Sequence, residues 1–257
     1  MVKAKLGNDR RFGKLIEEQN DIDFPYYNGQ PVYLKTWKWI VAWLGTFVGF
    51  LVLSLIPTHN NIEMIPTRIL FTVTPLAIFW YLTKPYWKAI FRKPVAKDYW
   101  YMVIFAILNI VITTIIAIIV QALGFHTADT PATNGLGHAH VAELVAFYVG
   151  TGIQLFGEEL LVVIPFLAVM SILQLKFSVS RKKSILWAWL LSALWFGAIH
   201  LTTYNWNIIQ CFVIIGGARI ALTLAFIRTK NIWVSTGAHI LNDWALFTAI
   251  TLAQVLK

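Results

Sequence analysis

Seven apolar runs, at 37–56, 68–83, 101–123, 141–174, 184–201, 206–228 and 232–253, fill most of this 257-residue chain. About 20 apolar residues wound as a helix match the roughly 30 Å hydrocarbon core of a bilayer. Inside that core each backbone polar group needs a partner within the protein, so runs of this length must be helical. The composition agrees. Apolar residues make up 58% and charged residues 13% of the chain, against about 25% charged in a soluble domain, and the mean hydropathy is +0.66. A large soluble core is excluded in favour of an all-α, polytopic membrane bundle.

The gaps between the runs alternate in charge. Loop 84–99 carries Lys84, Lys88, Arg92, Lys93 and Lys97; loop 175–183 carries Lys176, Arg181, Lys182 and Lys183; the 228–231 turn carries Arg228 and Lys230. Segments 57–67, 124–140 and 202–205 have no Lys or Arg, with Arg68 at the border of the first. Basic gaps belong on the cytoplasmic side. The net charge of +9 is therefore an orientation signal, and nucleic acid is not an expected partner. The long 141–174 run has ends of opposite charge character, so it crosses an odd number of times. One span, broken near Pro165, is the expected solution. The second run is short and has to draw on its flanks. The count is seven helices, within a range of six to eight, with the N-terminus cytoplasmic.

Residues 1–35 mix Lys3, Lys5, Arg10, Arg11 and Lys14 with Glu17, Glu18, Asp21 and Asp23, and contain no apolar stretch of the kind a cleavable leader needs. They read as a cytosolic arm with a helical turn or two. Residues 36–257 read as a single transmembrane domain without repeat or linker. The outer loop 124–140 is rich in Gly, Thr and Ala and is expected to be mobile. Gly45 and Gly49 form a small-xxx-small pattern suited to close helix packing. The one cysteine, Cys211, is expected to pack.

Against this background two adjacent carboxylates stand out. Glu158 and Glu159 lie inside the 141–174 run, where an acidic side chain costs about 2.5–3.5 kcal/mol. His200, His239 and Asp243 lie on later runs. His239 and Asp243 are four residues apart and share a helix face, with Asn242 beside it; Phe196 and His200 have the same spacing. Glu158 and Glu159 are about 100° apart on a helix and can border one cavity without pointing alike. Peptide hydrolysis needs an activated water, a proton shuttle and donors for the oxyanion, and this set can supply them. Glu158, Glu159, His200 and His239 are also the right residue types to hold a divalent metal such as zinc. The residues alone leave metal-bound and metal-free water both open. Asn109, Thr113, Thr114 and Gln121 in the third run read as interhelical hydrogen-bonders.

Three segments, FGEELL (156–161), WFGAIH (195–200) and GAHILND (237–243), resemble the motifs of the CAAX-protease and bacteriocin-processing membrane proteins. Those motifs read EExxxR, FxxxH and HxxxN or HxxxD. The resemblance covers about 140–250. It implies an intramembrane endopeptidase of the bacterial branch, acting on a peptide or membrane-protein substrate within the lipid bilayer. Glu158, Glu159, His200, His239 and Asp243 would then be its catalytic set. One position departs: Val163 stands where the first motif has arginine. Arg219, in the sixth run, is the candidate to supply that charge from a neighbouring helix.

Two other functions use the same features. One is a non-catalytic bacteriocin immunity protein on this scaffold. The other is a proton- or ion-coupled transporter, disfavoured because no inverted repeat or pair of broken helices is present. A geometric tension also follows from the spans. Counted from the basic end, His239 is shallow and His200 deep, so a shared site requires tilt or an early start to the fifth helix.

Overall fold

The computed structural model describes residues 11–256; Lys3, Lys5, Arg10 and Lys257 lie outside them. Seven α-helices form the bundle: α1 (Thr36–Leu55), α2 (Asn61–Thr83), α3 (Ala96–Ala122), α4 (Val141–Phe177), α5 (Arg181–Ile199), α6 (Gly216–Thr229) and α7 (Ile232–Val255). A π-helical segment, Gln210–Ile215, leads into α6. No strand occurs among the described residues. α1, α2, α3, α4 and the Gln210–Thr229 stretch are long and apolar enough to cross a bilayer. α5 and α7 fall short of that measure, and these are the helices associated with His200, His239 and Asp243.

α4 is the axis of the bundle. In its most apolar window 67% of residues are buried, against 22% in α3. Its 37 residues span about 55 Å at 1.5 Å per residue, more than a bilayer core. The expected break at Pro165 does not occur; the helix runs through it. Residues on both sides of Pro165, from Leu160 to Met170, are buried, so the surrounding packing holds the turn that lacks the proline N–H. α3, in contrast, exposes Ile104, Ile107, Val111, Ile115, Ile118 and Ile119, a lipid-facing stripe.

α2 begins seven residues before its apolar run. Asn60 caps it by accepting from the Glu63 amide at 2.9 Å. The two glycines of α1 lie at its contact with α2. A Cβ on Gly45 would sit 2.8 Å from Ile78, and one on Gly49 would sit 2.7 Å from the Phe71 carbonyl oxygen. That carbonyl lies four residues before Pro75, where proline has no N–H to offer it.

The ends of the bundle are closed by non-helical chain. At the lysine-poor end the loop after α3 is pinned, contrary to the mobility read from its composition. Gln210 accepts from the Ala128 amide and donates to the Ala128 carbonyl, both at 2.8 Å. Gln254 accepts from Gly137 at 3.0 Å and donates to the Thr133 carbonyl at 3.1 Å. At the basic end, residues 11–35 fold onto the helices with one turn of helical hydrogen bonding, closed by the Glu17 amide on the Gly13 carbonyl at 3.1 Å. Phe24 packs between Phe166 and Phe226, and Tyr26 against Trp39 and Phe79. Glu17, wholly buried, pairs with Arg181 at 2.6 Å and Lys230 at 2.9 Å; Asp23 adds a second carboxylate to Arg181 at 2.6 Å.

Candidate functional site

Near the middle of α4 the two glutamates occupy different worlds. Glu159 is fully buried and saturated. Arg219 of α6 donates to its Oε1 at 2.6 Å and to its Oε2 at 3.0 Å, a bidentate clamp. His239 of α7 places Nδ1 2.9 Å from the same Oε1. An ionised carboxylate only accepts, so Nδ1 carries the hydrogen and donates to it. Arg219 is itself held by Thr223, one turn on, which accepts from its Nε at 3.1 Å. The cation absent at position 163 is thus delivered from α6, while Val163 packs in the core.

Glu158 is partly exposed. Its Oε1 accepts from Gln154, one turn earlier, at 2.9 Å. Its Oε2 lies 3.8 Å from His239 Nε2, and Asp243 Oδ2 lies 3.7 Å from the same nitrogen. Both separations exceed a hydrogen bond, and a water bonded to His239 Nε2 and either carboxylate would sit beside the pair rather than between its atoms. Asp243 keeps its other oxygen engaged by Asn242 at 2.7 Å. Asn242 in turn accepts from Asn109 of α3 at 3.0 Å, so Asn109 links two helices as its residue type suggested, and Asn242 braces Asp243 from behind.

Phe196 joins the remaining members. Its ring lies 4.5 Å from that of His200, 6.4 Å from that of His239, and 5.2 Å below the Arg219 guanidinium. The four-residue spacing of Phe196 and His200 therefore has a physical use: the imidazole packs, tilted by 49°, against the ring of the preceding turn. His200 Nδ1 lies 2.7 Å from the Phe196 carbonyl, an acceptor, so Nδ1 carries the hydrogen and Nε2 keeps its lone pair. His200 is the C-cap of α5. The depth tension is resolved by that helix, which starts at Arg181 and ends one residue before His200. Both histidines border the one Phe196 ring.

Gly197, inside the same motif, lets the π segment approach. A Cβ there would lie 2.6 Å from the Cys211 carbonyl oxygen. Single-turn π segments inside helices recur at functional sites; this one sets the start of the helix that delivers Arg219.

The structure thus brings Glu158, Glu159, His239 and Asp243 together with Phe196, Asn242 and Arg219, and sets His200 beside them across the Phe196 ring. The four residues read as possible metal ligands do not converge as a ligand set. Among the described residues no group of three or more His, Cys, Asp or Glu side chains has that geometry, and both oxygens of Glu159 are already taken by Arg219. Sequence reasoning missed Gln154 and Arg68. Gln154 is four residues before Glu158, on the same helical face, and that spacing was the available signal. Arg68 of α2 is buried and donates through Nε to Gln154 at 3.2 Å; as a lone basic residue at the lysine-poor end, it is an exception to the charge alternation.

Comparison with known proteins bears on this site. Residues 140–245 match the family model described as "Type II CAAX prenyl endopeptidase Rce1-like". The match runs from the start of α4 to two residues past Asp243 and contains all three motifs. The match covers less than half of the chain and is a similarity of that stretch to the CAAX prenyl endopeptidases so described. No curated protein and no solved structure matches the chain.

Proposed function

We propose that the chain is an intramembrane endopeptidase in which Glu158 activates a water for attack on a peptide bond. The observation that carries this reading is the division of labour between the paired carboxylates. Glu159 is saturated by Arg219 and His239, whereas Glu158 is partly exposed with Oε2 facing His239 Nε2 across 3.8 Å. A water beside that pair meets Glu158 and His239, with Asp243 flanking the same nitrogen.

In this reading Glu158 takes the proton of the water as the oxygen bonds to the substrate carbonyl carbon. The same proton then passes to the leaving amine nitrogen as the C–N bond breaks. His239 acts as the imidazolium: Nδ1–H is bonded to Glu159, and Nε2–H, flanked by two carboxylates, is supplied to the oxyanion. Glu159 and Arg219 orient the imidazole and do not touch substrate. His200, with Nδ1–H tied to the Phe196 carbonyl, offers its Nε2 lone pair to the water. The family match supports a substrate of CAAX type, a lipid-modified peptide end.

The test compares Glu158→Gln, Glu159→Gln and His200→Ala in cleavage of a prenylated CAAX peptide, with membrane levels and thermal unfolding in detergent measured alongside. Glu158→Gln is expected to lower kcat by about 10²–10⁴-fold, the usual contribution of a general base, without loss of stability. Glu159→Gln is expected to lower both activity and stability. Native kcat in Glu158→Gln would overturn the assignment. Full cleavage in all three would overturn the assigned residues, and bacteriocin protection that survives all three without cleavage would point to the non-catalytic immunity role.

A further inference from the structure

Arg68 is a buried cation that nothing in the catalytic reading uses. It is 3% exposed, and among the described residues no carboxylate lies within ion-pair distance of it. Its polar contacts are the Gln154 side-chain oxygen at 3.2 Å and the Asn61 side-chain oxygen at 3.4 Å; Nη1 has no hydrogen-bond partner, and the guanidinium carbon lies 6.0 Å from the Phe147 ring centre. The other two buried arginines of the helices, Arg181 and Arg219, each face a carboxylate directly. The space for Arg68 is made by Gly150: any Cβ at that position would collide with the guanidinium. An unpaired buried charge is costly, so a side chain kept in this place answers to something beyond packing.

What it faces is a two-ended amide. Gln154 can present either its oxygen or its NH2 to either neighbour. A guanidinium has only donors, so the Gln154 oxygen must turn to Arg68. The NH2 is then forced toward Glu158, where it donates to Oε1 at 2.9 Å. We propose that Arg68 is a positioning residue: through Gln154 it locks a donor onto Glu158 Oε1, leaving Oε2 as the oxygen that faces His239. The relay also carries part of the Arg68 charge to a carboxylate in a low-dielectric site. Other charged or titratable groups that act on Glu158 are His239 and Asp243 from α7 and Tyr204 from the turn after α5.

This inference rests on Glu158 being the reactive carboxylate, and its test separates the two ideas. Gln154→Glu keeps an acceptor for Arg68, and turns the contact into an ion pair, but removes the donor to Glu158. The new carboxylate also lies against Glu158, so a packing role for Arg68 is read from Arg68→Met, where it predicts native kcat. For Gln154→Glu the relay predicts native thermal stability or better, with kcat for a prenylated CAAX peptide reduced about tenfold or more and KM within a few-fold, the effect of losing one charge-assisted hydrogen bond. Arg68→Lys, still donor-only, is expected to retain more activity than Arg68→Met. Native kcat in Gln154→Glu overturns the proposal.

A second measurement does not need turnover. Dicyclohexylcarbodiimide reacts with protonated carboxyls in apolar surroundings. Its labelling of Glu158, read by mass spectrometry at fixed pH, is expected to rise several-fold in Gln154→Met and Arg68→Met, with Glu143 on the same helix unchanged. If the native chain cleaves no peptide but labelling rises in this way, the relay stands and the protease reading fails. If labelling of Glu158 is unchanged, the relay fails whatever the activity.

Discussion

Replacing Arg219 with methionine tests whether this arginine stands in for the one absent at position 163. The substitution keeps an unbranched apolar stem of similar reach and removes the guanidinium. It deletes two charge-assisted hydrogen bonds, at 2.6 and 3.0 Å, to a carboxylate with no exposed surface. At about 1.5–3 kcal/mol for each bond to a charged group, the two together are worth about 3–6 kcal/mol. That overlaps the roughly 3–5 kcal/mol seen when one partner of a buried ion pair is removed and the other is left charged. The assay is thermal and chemical unfolding in detergent micelles, arranged as a double-mutant cycle with Glu159→Gln. Arg219→Met is expected to destabilise by about 3–5 kcal/mol. Adding Glu159→Gln is expected to recover about 2 kcal/mol or more, because no uncompensated charge then remains buried. A second arm transplants the cation, with Val163→Arg in the Arg219→Met background. Val163 lies four residues after Glu159, on the same face of α4, so part of the loss should return. If Arg219→Met unfolds within about 0.5 kcal/mol of the native chain, the range of an ordinary surface substitution, the substitution of one arginine for the other is refuted.

Two further outcomes follow from other parts of the fold. Burial pushes the Glu17 carboxyl up, but Arg181, the Phe12 amide and Lys230 outweigh it and bring it from 4.5 to about 2. A carboxyl lowered in the folded state stabilises fully above its unfolded value, and that stabilisation fades as pH falls from about 4.5 towards 2. The difference in unfolding temperature between the native chain and Glu17→Gln should therefore be constant above pH 5 and shrink below about 4.5; a difference that grows with acid would contradict the clasp. At the α2–α4 contact, a Cβ on Gly157 would lie 2.7 Å from Thr72 Oγ1 and 2.8 Å from the Phe71 ring. Gly157→Ala should cost about 1–3 kcal/mol as overpacking and lower activity by displacing Glu158. A neutral unfolding curve for this variant would mean that the two helices separate easily.

The parts of the site legible in the sequence are those that are expensive in a membrane. Glu158, Glu159, His200, His239 and Asp243 attract notice because apolar runs exclude such groups, and their spacing places them on shared helix faces. Arg219 was legible for the same reason, although only the structure supplies its bidentate geometry. Gln154 escaped because a single amide in an apolar run is cheap and common. Arg68 escaped because it sits where a loop was expected to end, and the start of α2 at Asn61 depends on a cap that hydropathy does not register. The π segment at Gln210–Ile215 leaves no compositional trace, since it is a one-residue change in hydrogen-bond register. The continuity of α4 through Pro165 is likewise a tertiary effect, imposed by buried neighbours on a residue that locally favours a break. Residues 11–35 were legible only as charged. Phe24, Tyr26 and Tyr27 were there to be read, but Phe79, Phe166 and Phe226, the helix residues on which Phe24 and Tyr26 pack, are more than 50 residues away.

The clasp at the basic end has a consequence for the order of assembly. Glu17 is made before its partners Arg181 and Lys230, which flank α5 and the α6–α7 junction. The acid cannot be neutralised until the last helices have entered the membrane, so it waits in water, where an ionised carboxylate costs nothing to keep. Seating Phe24 between Phe166 and Phe226 then draws α4 and α6 together at that end, and these are the helices that bear Glu159 and Arg219. Residues made before every helix of the bundle thus dock only after α4 and α6 are present, the helices that carry the buried ion pair.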